Sequence, residues 1–273
     1  MMRTRWLLSC GSMALIVGAI LFPFYLAVVA SLSPEAELFE TPRLLPFPPL
    51  LDHYRALFVE RNFCLPIRNS LVVAGTTTAL CLAIGTPCAY ALARLEFTGK
   101  RILLGVILAI SMFPQISILS PLYLILRALG LLDTYPGLVL PYLTFAMPLA
   151  VWLLTSFIRQ LPLGVEEAAR MDGASRTRTL LEIVLPMTAP AIGTTAILTF
   201  IYAWNEFLFA LAFTLGPERQ TVPVAIALFR GQYQIPWGQI LAAAIVTTAP
   251  VAALVLAFQR RIVQGLITGA VKG

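Results

Sequence analysis

Histidine, cysteine and charge are all scarce in this chain of 273 residues. His53 is the single histidine, there are four cysteines, and only 12% of residues are charged. Ordinary soluble domains carry about 25% charge. A lone histidine does not assemble a typical zinc site, and it reads as an exposed polar residue of a loop. Cys10, Cys64, Cys81 and Cys88 contain no C-x-x-C pair and read as small hydrophobes rather than a disulfide frame. The pattern G-x4-G-K-[ST] is missing: Gly99-Lys100 is followed by Arg101, and Arg94 stands where the first glycine belongs. No H-E-x-x-H is present either. The chain therefore offers no nucleotide-binding loop of its own and no hydrolytic metal centre.

Apolar sequence is abundant. Hydrophobic residues make up 59%, and the mean hydropathy is +0.87. A soluble core of this size cannot hide so much apolar surface. Six stretches reach the roughly 20 apolar residues needed to cross a bilayer. They are Trp6–Leu32, Ser70–Ala93, Ile102–Leu126, Tyr135–Ile158, Thr188–Leu215 and Gly238–Phe258. The ten-residue alternation of a transmembrane barrel is absent. The first stretch is longer than a signal-peptide core, so it is read as a retained span despite Arg3, Arg5 and the Val28-Val29-Ala30 run.

Basic residues orient the spans. Segments 1–5, 94–101, 159–187 and 259–273 hold 12 Lys and Arg, whereas 33–69, 127–134 and 216–237 hold 7. The positive-inside rule puts the first set, and both termini, in the cytoplasm. The net charge of +6 is then a topology signal, and nucleic acid is not needed as a partner. Division along the chain follows: residues 1–68 form a first span and an outer loop, 69–262 a five-span core, and 263–273 a cytoplasmic tail.

Two outer segments are long. Asp52 to Phe58 reads as a short amphipathic helix, with Tyr54, Leu57 and Phe58 on one face. It suits the membrane interface or a cap on the bundle equally. In the second, Gln232, Tyr233 and Trp237 suit contact with a sugar or a docked protein, and equally an interfacial aromatic belt.

The loop from Arg159 to Met187 is the most informative segment. Pro162 opens a helix, Glu166 and Glu167 favour its first turns, Gly173 suits the left-handed position that ends it, and Ser175 caps the next. Leu181 with Leu185, or Leu180 with Val184, gives that second helix an apolar stripe. Ala168 and Ala169 leave room for another surface. The alternative is an amphipathic loop lying on the headgroups.

At this loop the chain resembles the inner-membrane permeases of ATP-binding-cassette (ABC) importers. Their signature is E-A-A, three residues, G, nine residues, I-x-L-P. Here it stands as Glu167-Ala168-Ala169, Gly173 and Ile183-Val184-Leu185-Pro186. Leu140-Pro141-Tyr142, Met147-Pro148-Leu149, Ala203-Trp204-Asn205-Glu206 and the tail from Gln259 are similar to the maltose- and trehalose-type branch. The resemblance implies an all-α, six-helix type I importer permease of the inner membrane. It would pair with a second homologous permease above an ATPase dimer that holds ATP and Mg, and an extracytoplasmic binding protein would deliver sugar. This chain would bind no cofactor itself. The ATPase contacts would involve Glu166, Glu167, Ala168, Ala169, Asp172, Gly173, Ile183, Leu185 and Pro186, with Lys272 of the tail as a further contact.

The resemblance leaves one charge inside a span to explain. Glu206 is the only acidic residue there, with Trp204 and Asn205 beside it. It reads as part of the translocation path, as a helix-satisfying group, or as the proton site of an ion-driven secondary transporter. That transporter is the alternative function. A membrane scaffold without transport is a third reading, and prolines 87, 114, 121, 141, 148 and 250 argue against it.

Overall fold

The computed structural model describes residues 2–39, 44–45, 48–229 and 235–270. Side chains are described for 10–39, 44–45, 48–229 and 235–259. The described residues are helices and connecting turns, without a strand among them. Four helices are long and apolar enough to cross a membrane by themselves, and two bent pairs raise the number to six if each is one span. Contacts group the chain into two compact units, residues 1–65 with 226–250 and residues 66–225 with 251–273.

In the first unit α1 (Met2–Ser31) carries Pro23 inside it without a break. Its apolar side chains are mostly exposed, Leu15 and Ile20 among them. In a membrane chain that surface suits lipid or another helix rather than water. The loop behind it is tied by local polar contacts. The Ser31 and Tyr54 hydroxyls lie 2.8 Å apart, and His53 Nε2 is 2.9 Å from the Ser33 carbonyl oxygen. His53 is thus half-buried and bonded, not the exposed residue expected from its loop position. The predicted amphipathic helix is α2 (Asp52–Arg55), which runs on through a π-turn over Ala56–Glu60. Leu57 is fully buried, whereas Phe58 is exposed because the widened turn shifts it off the shared face. Glu35 accepts hydrogen bonds from the amides of Trp237 (2.7 Å) and Gly238 (3.0 Å), at the start of the last helix. The carboxylate meets the positive end of that helix there.

The second unit is arranged along α6 (Tyr135–Gln160), whose Tyr142, Val151, Leu154 and Ile158 are essentially inaccessible. Against it pack α3 (Cys64–Arg94) and α4 (Lys100–Ser111), and α5 (Gln115–Ala128) follows α4 in the chain. Pro87, Pro141 and Pro148 are accommodated inside α3 and α6. Two of the six predicted spans are not straight. Ile102–Leu126 is broken at residues 112–114, and α4 and α5 meet there at 92°. Pro114 lacks the N–H that would bond back one turn, and it drives Phe113 away from helical geometry. Thr188–Leu215 is interrupted as well. Its helix α9 (Ala189–Asn205) spans only 17 residues and joins α8 (Arg176–Met187) at 78°. Between α6 and α8 lies α7 (Leu163–Met171). Beyond Glu206 and Phe207 the chain re-forms α10 (Leu208–Phe213), then α11 (Val222–Ala227). The last helix, α12 (Trp237–Ala270), has residues in both units.

Asn69 closes one end of this unit. Its side-chain amide donates to the carbonyls of Glu218 (2.9 Å) and Gln220 (3.0 Å) and accepts from the Tyr135 hydroxyl (2.8 Å). Both N–H groups and one lone pair of the oxygen of a fully buried amide are thus bonded, as the interior favours. Near this end, Thr134 caps α6 by accepting from Gly137 N while donating to the Leu131 carbonyl.

Gly137 cannot carry a side chain in this cap. A Cβ there would lie 2.0 Å from the Leu131 carbonyl oxygen. Gly137→Ala is expected to cost roughly 1–3 kcal/mol, the scale of overpacking. Gly75→Ala, where a Cβ meets nothing within 4 Å, serves as the control. Thermal midpoints of the detergent-purified proteins check this. Equal midpoints for Gly137→Ala and wild type would remove the steric argument.

Candidate functional site

The loop between α6 and α9 folds from local chemistry. Pro162 sits at the N-cap of α7 with extended backbone. At the other end Gly173 takes φ +82°, Ala174 N bonds to the Ala169 carbonyl (2.9 Å), and Gly173 N bonds to the Arg170 carbonyl (3.0 Å). This is a Schellman closure, in which a left-handed glycine satisfies the last carbonyls of a helix. Ser175 then accepts from Arg178 N at 3.3 Å and opens α8. Through a π-turn over Leu180–Val184 the chain re-enters the spans.

The two glutamates of α7 face opposite ways, because successive helix residues are rotated by about 100°. Glu166 points inward, with its side chain 3% exposed. Its carboxylate meets Arg94 Nε at 2.5 Å and accepts from the Tyr90 hydroxyl at 3.2 Å. Arg94 also donates to the Leu161 carbonyl at 2.8 Å. A charge pair this far from water is tied on every side, as burial requires. Beside it, Tyr90 joins Ala89, Leu154, Ile158 and Val184 in an apolar cluster linking α3, α6 and α8.

Glu167, Ala168, Asp172 and Gly173 are exposed, and so are Leu185 and Pro186. Ala169 is buried and Ile183 half-buried. Apolar Leu163 and Met171 stand exposed among the polar residues of the loop. Exposed apolar groups of this kind mark contact surfaces. Of the two stripes open in the sequence, Leu180 and Val184 face the interior, while Leu181 and Leu185 face out. Sequence reasoning missed Tyr90 and Arg94. The available signal was an arginine at the foot of an apolar helix and a second glutamate beside the motif.

At the break in the fifth span, Glu206 accepts from the amides of Phe209 (2.8 Å) and Ala210 (3.1 Å). Its carboxylate caps α10 and satisfies backbone groups freed by the interruption, which a low-dielectric interior cannot leave open. The buried Tyr142 hydroxyl adjoins the same carboxylate. Trp204 is buried and stacks on Phe200 with ring centroids 5.7 Å apart. Asn205 is exposed and donates back to the Ile201 carbonyl of its own helix. Trp237 is 43% exposed at the start of α12. Gln232, Tyr233 and Lys272 lie outside the described residues.

Two expectations follow. Glu166→Ala leaves the Arg94 guanidinium buried without its carboxylate and is expected to cost about 3–5 kcal/mol. The double change Glu166→Leu with Arg94→Leu should cost clearly less than the sum of the single changes. Strict additivity in that cycle, read from thermal midpoints, would mean the pair is not coupled. Glu206→Ala, which loses two charge-assisted bonds, should cost roughly 3 kcal/mol or more. Glu206→Gln keeps one acceptor oxygen and should cost less. If both variants melt with the wild type, the capping role is wrong.

Comparison with known proteins agrees with this arrangement. The family described as binding-protein-dependent transport system inner membrane component matches residues 83–268, which include the whole α7–α8 loop. The trehalose transport system permease protein SugB of Mycobacterium tuberculosis is 46% identical over 261 residues, covering 95% of each chain. The trehalose/maltose transport system permease protein MalG of Thermococcus litoralis is 41% identical over 268 residues, covering 95% of this chain and 96% of its own. Among solved structures, a chain of a bacterial ABC transporter that imports the acidic polysaccharide alginate superposes with a TM-score of 0.78 at 22% identity. That match covers 94% of this chain and 96% of the other, and it speaks to the fold. The chain belongs to the inner-membrane components of binding-protein-dependent transport systems, the permeases of ABC importers.

Proposed function

We propose that this chain is the transmembrane permease subunit of an ATP-driven sugar importer. It translocates a carbohydrate, a disaccharide such as trehalose or maltose, delivered by an extracytoplasmic binding protein. It pairs with a second homologous permease above an ATPase dimer that holds ATP and Mg, and both of its termini are cytoplasmic.

The observation that carries this reading is the α7–Gly173 turn. One side presents Glu167, Ala168, Asp172 and exposed Met171 outward, and the other is latched to the foot of α3 through Glu166 and Arg94. A partner that pushes on the outward side moves the inward side with it, and through Arg94 it moves a membrane-spanning helix. That is the geometry of a lever linking two distant sites. The sugar class rests on the relatives named for trehalose and maltose. Gln232, Tyr233 and Trp237 are proposed to face the binding protein and its sugar. Trp204, Asn205 and Glu206 border the path, and Lys272 adds a contact to the ATPase. The ion-driven alternative rested on Glu206 as a proton site. Both oxygens of that carboxylate accept backbone amides, and this supports a fixed structural anion instead.

Gly173→Val places a β-branched residue at φ +82°, at a cost of about 1–3 kcal/mol of local strain. It is expected to leave membrane insertion intact and to lower uptake of radiolabelled trehalose or maltose at least about tenfold. Affinity purification of the tagged wild type should bring down an ATPase and a second permease with vanadate-sensitive ATP hydrolysis, and the variant should lose that hydrolysis. A variant that inserts and transports at the wild-type rate would refute the lever.

A further inference from the structure

A pocket of about 750 Å³ opens where the end of α3, the start of α4 and the end of α6 converge. Arg94, Lys100, Arg101 and Arg159 line it, and none of its lining residues is acidic. Two of these cations are already engaged. Arg94 is paired with Glu166, and Lys100 donates to the Leu95 carbonyl at 3.0 Å. Arg101 and Arg159 are exposed and have no ion-pair or hydrogen-bond partner among the described residues. The first turn of α4 has no side-chain cap, so its amides add positive potential at the same place.

The remaining wall is apolar. Leu104 and Leu108 of α4 line the pocket beyond the cations. The helix has no buried residue at all, and Ile102 and Val106 are exposed on it. A helix this apolar and this uncovered suits a lipid environment. The pocket is therefore charged at one end and continuous with a lipid-facing surface at the other. A soluble anion uses only the first property, and a phospholipid uses both.

We propose that this pocket binds one anionic phospholipid, with its phosphodiester between Arg101 and Arg159 near Lys100 and its acyl chains along Leu104 and Leu108. Guanidinium groups hold phosphate oxygens in a bidentate fork. Basic pockets between membrane helices take such headgroups. Because Arg94 belongs to the Glu166 latch, a lipid seated here borders the lever without being part of it. The inference rests on the membrane-spanning part of the reading above and not on sugar transport.

Lipid bound to the full chain, purified with its associated subunits from native membranes, is the direct readout. Native mass spectrometry after exchange into mild detergent, with phosphatidylglycerol and phosphatidylethanolamine as probes, is expected to find one retained phosphatidylglycerol per chain. The R101Q/R159Q double variant should retain it at least about tenfold less, on the scale of two basic groups near an anionic headgroup. Gly105→Trp is the second variant. A Cβ at Gly105 meets nothing within 4 Å, so the ring fills the apolar arm without a clash at its base and should also exclude the lipid. Excess inorganic phosphate should not displace the lipid.

Equal retention of the two phospholipids, or unchanged retention in R101Q/R159Q, overturns the proposal. So does displacement by phosphate together with an inert Gly105→Trp, which would assign the pocket to a free anion. Loss of a co-purifying subunit from R101Q/R159Q with lipid retention unchanged would assign it to a protein contact instead. Failed sugar uptake by a wild-type chain that still retains phosphatidylglycerol counts against the transport reading alone.

Discussion

A carboxylate and a guanidinium removed from water are each costly alone and tolerable together. Glu166 and Arg94 are that pair, at the point where a loop meets a membrane helix. Their attraction in a poorly solvated site is strong enough that neither group is readily released singly. Tyr90 fills a remaining acceptor of Glu166, and the Leu161 carbonyl takes a remaining donor of Arg94. Together these bonds fix the start of α7 against α3 and the end of α6. The outward display of Glu167, Ala168 and Asp172 then follows from helix rotation. With Glu166 held inside, the next residues have to face away.

Rigidity at the loop contrasts with interruption in the spans. The α4–α5 pair is bent at Pro114, the α8–α9 pair at Thr188, and the fifth span stops at Asn205. Each interruption frees backbone amides and carbonyls in a setting without water to receive them. The chain meets that need locally. Thr188 donates to the Val184 carbonyl, and Glu206 receives the first amides of α10. An anion used this way is spent on the backbone. Glu206 therefore reads as a repair to a broken helix.

Local grammar was legible in the sequence and long-range pairing was not. Pro162, Gly173 and Ser175 act within a few residues of themselves, so their roles at helix ends could be read from residue type and spacing. Apolar run length likewise placed the four helices that are long and apolar enough to cross a membrane, while the other two stretches fall on bent helix pairs. Proline identity did not reveal which spans bend. Pro87, Pro141 and Pro148 stay inside helices, while Pro114 ends one, because packing by neighbours decides whether a missing bond is tolerated. The choice between Glu166 and Glu167 as the buried partner depended on Arg94, 72 residues away. Asn69 bonds to carbonyls 149 and 151 residues on, and backbone acceptors carry no residue-type signal.

The basic residues of the loop side also serve unequal ends. A positive-inside count treats Arg94, Lys100, Arg101 and Arg159 alike, since any of them resists crossing the bilayer. The structure separates them by partner. Arg94 is neutralised by an internal carboxylate, whereas Lys100 donates to a backbone carbonyl that orients its ammonium without cancelling the charge. Arg101 and Arg159 keep theirs, facing a cavity with no acid in its lining. The positive-inside rule accounts for an excess of basic residues on one side of a membrane. It does not explain why two of them converge on the same apolar-walled opening, because topology is satisfied wherever on that side they fall. A common anion accounts for that convergence, and an anion with an apolar body fits the rest of the wall.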